Sequence, residues 1–203
     1  IKTQALIRKI IIAMHKEDYS ALAEREEQEH QQVLSSASDV IFASTKDLRK
    51  KIEECSRAAG TAADGERVRD LNLVSLLKAY YMACYSEDDF LKCECCGERT
   101  FLTCAGEPYL EFHHLIPFRL ANGPDHYLNL FALCPTCHRK LHFMRLSEKQ
   151  PLYHALGKNN YLHMDFVQRL SILKEQRQLR SYQLEYLYAE NAITAEEYEN
   201  IAG

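Results

Sequence analysis

The sequence predicts an α+β fold in which a small region of two strands and one helix lies between two mainly α-helical regions. Apolar residues recur at the 3.6-residue spacing of an amphipathic helix over residues 1–59. From Phe90 to Phe143 the pattern changes to turn signals and short apolar runs, and this stretch contains most of the cysteines and histidines. Helical patterning returns after Pro151. We therefore divide the chain into residues 1–89, 90–146 and 147–203.

The first region is predicted to contain two helical parts joined by a loop. The first part carries apolar residues at helical spacing, namely Ile7, Ile10, Ile11, Met14, Val33, Leu34, Ile41 and Phe42. Between them, "EREEQEHQQ" is typical of a charged, solvated helix face. Gly60 in the loop "GTAADG" suits a helix C-terminus, and "RVRDLNLVSLLKAYYMACY" is predicted to form the second helical part.

The middle region contains the predicted strands. "RTFLTC" and "PYLEFHH" are short alternating runs separated by "AGE", and we expect them to pair as a β-hairpin. After the loop "FRLANGPDHY", the run "LNLFALC" leads into a helix, "PTCHRKLHFM", in which Pro135 suits the first turn. In the last region "GKNN" at 157–160 interrupts the helices, and Thr194 to Glu197 form a capping box before a final short helix.

The composition excludes several classes of protein. Of the 203 residues, 46% are apolar and 27% are charged, as in a globular chain with a packed core. The aliphatic stretch "IIIAM" at 10–14 is too short to span a bilayer, and the start shows no secretory signal. We therefore expect a cytoplasmic protein that does not bind membranes. Its net charge of −4 gives no overall attraction to nucleic acid, so DNA binding would depend on a local basic patch.

Four cysteines form two Cys-x-x-Cys pairs, Cys93 with Cys96 and Cys134 with Cys137. Each pair lets two thiolates meet one ion, and four thiolates complete a tetrahedral zinc site. Such paired spacing without a visible secretory signal favours a metal site over disulfides. Cys95 is a less suitable ligand, because the spacing and the following glycine fit Cys96. A small ββα unit has little core of its own, so zinc would contribute directly to its folding free energy.

The run "EFHHLIPF" at 111–118 places two histidines next to each other. Neighbouring strand positions face opposite sides, so a single core cannot bury both side chains in the same way. Zinc would bring this run close to the helix that carries His138 and His142, which share one face. These groups supply the parts for phosphodiester hydrolysis: one histidine of the pair holds a divalent ion, and the other takes a proton from the attacking water.

Taken together, "LEFHHLIP", Asn129 and "CPTCHRKLH" resemble the HNH endonuclease family with its ββα-metal fold, in particular the subgroup with a four-cysteine zinc site. The resemblance covers Leu91 to Met144. It implies that residues 90–146 are a nuclease domain that cleaves DNA, with structural Zn²⁺ and with Mg²⁺, Mn²⁺ or another divalent ion for catalysis. A histidine-rich site suits Mg²⁺ less well than Mn²⁺, Ni²⁺ or Zn²⁺. A role in restriction or antiviral defence is implied by analogy.

The same resemblance implies a role for each matched residue. His114 would be the general base, Asn129 would orient the loop and the base, and Glu111 would fix a ligand histidine. The ligands of the catalytic ion would be His113, His138 and, as a further ligand, His142. The basic residues that could contact phosphates are Arg119, Arg139 and Lys140. Ordinary interpretations stay open for three of these groups: a helix-capping or solvent-facing His142, a turn residue at position 129, and a solvated basic surface.

Two other classes of function fit parts of the sequence. A zinc-ribbon-like module would bind nucleic acid or protein without cutting, but it needs the four cysteines alone and leaves the histidines unexplained. An effector subunit would use its helical regions to dock a protein partner or to form a homo-oligomer. Since nucleases of the ββα-metal fold clamp the minor groove, where base readout is degenerate, we expect little sequence specificity from the nuclease domain itself.

Overall fold

The chain alternates between helices and a short sheet in the predicted order. The computed structural model describes residues 44–59, 69–156 and 161–203. Within these ranges lie seven α-helices and one two-stranded sheet: α1 (Thr45–Ala59), α2 (Leu71–Tyr85), β1 (Glu111–His114), β2 (Leu130–Leu133), α3 (Pro135–Phe143), α4 (Leu146–Ala155), α5 (Phe166–Glu175), α6 (Ser181–Ala189) and α7 (Ala195–Ala202). This arrangement confirms the predicted α+β class. No helix in the described part combines the length and the apolar character needed to cross a membrane.

Some of the predicted features lie outside the described residues. They are the apolar helical positions before residue 44, the loop at 60–65 and the interruption at 157–160. The second predicted helix is present as α2, which begins at Leu71 because the Asp70 side chain accepts hydrogen bonds from the N–H groups of Asn72 and Leu73. The helix predicted to follow Pro151 already begins at Leu146 and carries the proline inside it.

The sheet pairs β1 with β2 rather than with the run that precedes β1. The two strands are antiparallel, and His114 lies opposite Leu130. The predicted hairpin between "RTFLTC" and "PYLEFHH" is therefore only partly confirmed: an antiparallel bridge joins Leu102 to Pro108, with backbone hydrogen bonds from Thr103 to Glu107 and from Tyr109 to Phe101, but this pairing ends before β1. All four residues of β2 are buried and offer β1 an apolar partner instead.

Two predicted helix starts are confirmed. Thr194 accepts a hydrogen bond from the N–H of Glu197, and the Glu197 carboxylate accepts one from the N–H of Thr194, which completes the capping box of α7. Pro135 occupies the first turn of α3, where its missing N–H has no cost. The residue before it, Cys134, caps this helix through its sulfur, so the start of α3 is also one corner of the cysteine cluster described below.

One hydrophobic core extends through the three predicted regions. It contains Leu48 of α1, the apolar residues of β2 and Ile201 of α7. Tyr81 of α2 stacks on the ring of Tyr161, with the ring centroids 4.4 Å apart. The helical regions therefore pack directly onto the sheet whose strand β1 carries His113 and His114.

A buried ion pair connects α5 to the segment between Cys93 and Cys96. The side chains of Glu94 and Arg169 are fully buried, and Nη2 of Arg169 lies 2.9 Å from Oε1 of Glu94. Arg169 also donates to the carbonyl of Leu130 at 2.9 Å, and its guanidinium lies 3.9 Å above the ring centroid of Phe131. The N–H of Ala132 donates to Oε2 of Glu94. Both members of the pair thus hold the backbone of β2.

Candidate functional site

The four predicted zinc ligands form one cluster. The sulfur atoms of Cys93, Cys96, Cys134 and Cys137 all lie within 4.8 Å of one another. They come from the turn before β1 and from the start of α3. The N–H of Cys137 approaches the sulfur of Cys134 at 3.4 Å, and the N–H of Cys95 approaches the sulfur of Cys93 at the same distance. These contacts stabilise negative charge on sulfur, as a thiolate ligand requires.

The donor set of this cluster fits a zinc ion. Burial raises the pKa of Cys93 to about 12 and raises the pKa of Cys137 well above its usual value. Two buried thiols beside two further thiols would therefore stay protonated on their own, whereas a bound cation favours the thiolate form. Cys95 does not belong to the cluster, and its sulfur lies 3.9 Å from the carbonyl oxygen of Leu152.

Three histidines form a second cluster at the junction of β1 and α3. Nitrogen atoms of His113, His138 and His142 lie within 4.8 Å of one another, and the two Nε2 atoms on α3 are 3.0 Å apart. Spacing of four residues places His138 and His142 on one helical face, which packs against β1. Nδ1 of His113 is buried, and no group among the described residues hydrogen bonds to it. A buried acceptor without a partner, beside two imidazoles, fits a metal ligand.

The neutral state of His113 and His142 also suits metal binding. Burial, followed by the proximity of His138, lowers the pKa of His142 to about 3. Burial and the neighbouring histidines place the pKa of His113 well below its usual value. Both side chains are therefore neutral at neutral pH, so no proton has to leave before a cation binds.

Glu111 orients one member of the histidine cluster. Its Oε2 lies 2.5 Å from Nδ1 of His138, and its Oε1 accepts a hydrogen bond from the Tyr109 hydroxyl at 3.2 Å. With Nδ1 donating to the carboxylate, the lone pair of His138 lies on Nε2, the atom that faces His142. Carboxylate–histidine pairs of this kind fix the orientation of metal ligands in other proteins.

His114 contacts a different set of partners from those of His113. Its Nε2 lies 3.0 Å from Oδ1 of Asp125, and its Nδ1 lies 3.0 Å from Nη2 of Arg69. A guanidinium can only donate, so Nδ1 accepts, and Nε2 carries the proton shared with Asp125. The side chain is 5% exposed and is hydrogen bonded at both ring nitrogens.

Asp125 and Arg69 are missing from the residues predicted from the sequence. The N–H of Asp70 donates to Oδ2 of Asp125, so the carboxylate lies at the N-terminus of α2. Burial alone would raise the pKa of Asp125, but the hydrogen bonds from His114 and Asp70 and the nearby Arg69 leave it below the usual value. The one local signal for Asp125 was an acidic residue in the loop "ANGPDH", four residues before Asn129.

Asn129 holds together the loop that follows β1. Its Oδ1 accepts from the N–H of Ile116 at 2.8 Å, and its Nδ2 donates to the carbonyls of Ile116 and Pro124 at 3.0 and 2.9 Å. Gly123 lies against the same loop, because a Cβ added there would lie 1.9 Å from the Ile116 carbonyl oxygen. Asn129 thus fixes the ends of the loop that carries Asp125.

The predicted phosphate contacts lie at the surface. Arg119 is exposed in the loop after β1. Arg139 and Lys140 are exposed on α3 and line a shallow depression together with Phe143 and Met144. Contact of these three basic residues with phosphates stays a prediction. The structure therefore brings together the cysteine set and the histidine set, whereas Arg119, Arg139 and Lys140 are exposed at the surface.

Comparison with known proteins agrees with this geometry. Residues 93–143 match the family described as HNH endonuclease. Over 54 residues, which are 26% of this chain, the sequence is 48% identical to the type IV methyl-directed restriction enzyme EcoKMcrA of Escherichia coli (strain K12). The matched part spans 19% of that relative. These matches confirm the resemblance seen in the sequence and support a nuclease role for this domain.

Proposed function

We propose that this chain, in which residues 93–143 form an HNH endonuclease domain, hydrolyses phosphodiester bonds in DNA with a divalent metal ion. The observation that carries the proposal is that the two adjacent histidines at the end of β1 contact different groups. His113 contacts the imidazoles of α3, whereas His114 contacts a buried carboxylate. Adjacent strand residues thereby separate metal binding from proton transfer.

Two metal ions have different tasks in this proposal. Cys93, Cys96, Cys134 and Cys137 would hold a structural Zn²⁺, which would stabilise the fold. His113, His138 and His142 would hold the catalytic ion, which would supply positive charge to stabilise the phosphate and the leaving oxygen. A site of three imidazoles favours Mn²⁺, Ni²⁺ or Zn²⁺ over Mg²⁺.

His114 acts as the general base through Nδ1. This atom carries the lone pair, since Nε2 donates to Asp125. When the water oxygen attacks phosphorus, its proton passes to Nδ1, and the bond from phosphorus to the leaving oxygen breaks. Asp125 stabilises the resulting imidazolium, and Asn129 keeps the loop that bears Asp125 in place.

The biological role proposed is restriction of DNA. The relative is a methyl-directed restriction enzyme, and the similarity to this chain is confined to the nuclease domain. The choice of target must therefore come from residues outside 93–143, because minor-groove contacts discriminate poorly between sequences. Methylated DNA is the first substrate to examine. Equal cleavage of methylated and unmethylated plasmid would remove methyl-directed restriction from the proposal while leaving the nuclease assignment intact.

The test is cleavage of supercoiled plasmid, methylated or not, in the presence of Mg²⁺, Mn²⁺, Ni²⁺ or Zn²⁺. His114→Ala should reduce the rate by about 10² to 10⁴-fold, as expected for loss of a general base, with unchanged zinc content and DNA affinity. His113→Ala should act through the ion, so excess metal should restore part of the activity. The matched control is His154→Ala, because this side chain is 42% exposed on α4 and should not affect cleavage. Parental activity in His114→Ala would refute the assignment of the base.

A further inference from the structure

Arg69 reaches the proposed base from outside the matched domain. It precedes α2, and it belongs to the helical region rather than to residues 93–143. Its Nη2 lies 3.0 Å from Nδ1 of His114 and 3.4 Å from the carbonyl oxygen of Phe112. The N-terminal region therefore contributes a cation to the site that is assigned to the nuclease domain.

The backbone next to Arg69 is firmly attached to the site. The N–H of Asp70 donates to Oδ2 of Asp125, and the Asp70 side chain caps α2 through the N–H groups of Asn72 and Leu73. Asp125 in turn holds Nε2 of His114. The start of α2 is thus fixed relative to the base, and a change at Arg69 has to be a rotation of its side chain.

The contact with Arg69 uses the lone pair that the base needs. Nδ1 of His114 has one lone pair in the plane of the ring, and the guanidinium donates to it in this structure. An attacking water must donate its proton to the same lone pair. Water and Arg69 therefore compete for Nδ1, and the DNA-free enzyme has its base covered by a cation.

We propose that Arg69 is a positioning residue that covers Nδ1 of His114 in the DNA-free protein and moves to a phosphate of bound DNA, which frees Nδ1 for water. This inference rests on the proposed nuclease function. A guanidinium binds a phosphate by charge-assisted, bidentate hydrogen bonds, which are stronger than a hydrogen bond to a neutral imidazole. The arrival of DNA would therefore draw Arg69 away from the base.

The first test measures binding of a short fluorescein-labelled DNA duplex without a divalent ion, over a range of salt concentrations. Arg69→Ala should weaken binding about tenfold, as expected for one charged hydrogen-bonded contact, and should reduce the salt slope by about 0.9. Arg69→Lys should keep the salt slope, because the charge remains. The matched control is Arg57→Ala, an exposed arginine on α1 whose loss should leave the slope unchanged. An unchanged affinity and slope in Arg69→Ala would overturn the proposal.

The second test measures cleavage at saturating DNA. Arg69→Ala should lower kcat about tenfold or more and should also raise KM, because the phosphate contact persists in the transition state. A kcat at or above the parental value would show that Arg69 only obstructs the base, and would overturn the transfer to phosphate. Equal zinc content and melting temperature establish that the variants are folded. If the parental protein cut no DNA with any ion, the proposed function would fail, whereas the binding test would still decide the phosphate contact of Arg69.

Discussion

Removing the cation of the Glu94–Arg169 pair should be among the most destabilising single changes in this chain. Arg169→Met keeps an apolar side chain over Phe131 but leaves Glu94 buried without its cation and the carbonyl of Leu130 without its donor. Removing one member of a buried ion pair lowers the free energy of unfolding by about 3–5 kcal/mol. A typical domain has a free energy of unfolding of about 5–15 kcal/mol, so the variant should lose a large part of its stability.

The same variant should show a defined pH dependence. Burial raises the pKa of Glu94 in the folded protein, and Arg169 acts in the opposite direction, so its removal raises this pKa further. When a carboxyl group has a higher pKa in the folded protein than in the unfolded chain, folding favours its protonated form. Its contribution to the free energy of unfolding is then complete below the pKa of the unfolded chain and is lost as the pH rises through the pKa of the folded protein. The decrease in the free energy of unfolding from the parent to Arg169→Met should therefore be larger at about pH 8 than at about pH 5.

Urea denaturation of parent and variants, with zinc held constant, measures both effects. The double variant Glu94→Gln with Arg169→Met should recover part of the loss, because no buried charge is left without a partner. Arg145→Met, at an exposed arginine, is the control and should stay within about 0.5 kcal/mol of the parent. A loss below about 1 kcal/mol in Arg169→Met that is the same at both pH values would refute the reasoning.

Three further predictions concern the metal sites and the core. Cys93→Ser should lose the structural zinc by elemental analysis and become sensitive to limited proteolysis; a full zinc content would remove Cys93 from the ligand set. His142→Ala should keep its zinc but should need at least about tenfold more divalent ion for half-maximal cleavage. Unchanged activity at limiting metal would remove His142 from the ligand set and leave His113 and His138. Tyr81→Phe should be neutral or stabilising by up to about 1 kcal/mol, because the Tyr81 hydroxyl is buried without a hydrogen bond within the described residues. By contrast, Tyr161→Phe at the stacked neighbour should lower the free energy of unfolding by about 1–3 kcal/mol, because the Tyr161 hydroxyl hydrogen bonds both the N–H and the carbonyl of Lys92. Thermal or urea denaturation measures both changes, and equal effects of the two would contradict this reasoning.

The sequence predicted those parts of the site that depend on local spacing. A Cys-x-x-Cys pair closes on one ion through its own turn, and histidines four apart share a helix face, so both clusters could be anticipated before any tertiary contact was known. The resemblance to the HNH endonuclease family predicted which strand and which helix would contribute residues to the same site. The capping box of α7 was likewise readable from four consecutive residues.

The parts that were missed depend on contacts between distant residues. The partner of β1 lies beyond a loop, so the nearer run "RTFLTC" was predicted to pair along the whole of "PYLEFHH", whereas it bonds only residues 107–109. Arg69 meets His114 across 45 positions, and Arg169 meets Glu94 across 75. A lone arginine before a helix or inside one has no local pattern that distinguishes it from a solvated surface residue. Asp125 carried a weak signal, because acidic residues are common in turns.

The shared core has a consequence for how the matched segment can be moved between proteins. A fragment cut at residues 93 and 143 would keep the cysteine and histidine clusters but lose Arg169 and Tyr161, which both bond to Glu94. It would also lose Asp70, whose N–H anchors Asp125 beside His114. The transplantable unit is thus much larger than the segment recognised by sequence similarity. Chimeras made by exchanging residues 93–143 alone should aggregate, whereas exchanges that carry residues 69–203 should keep the site intact.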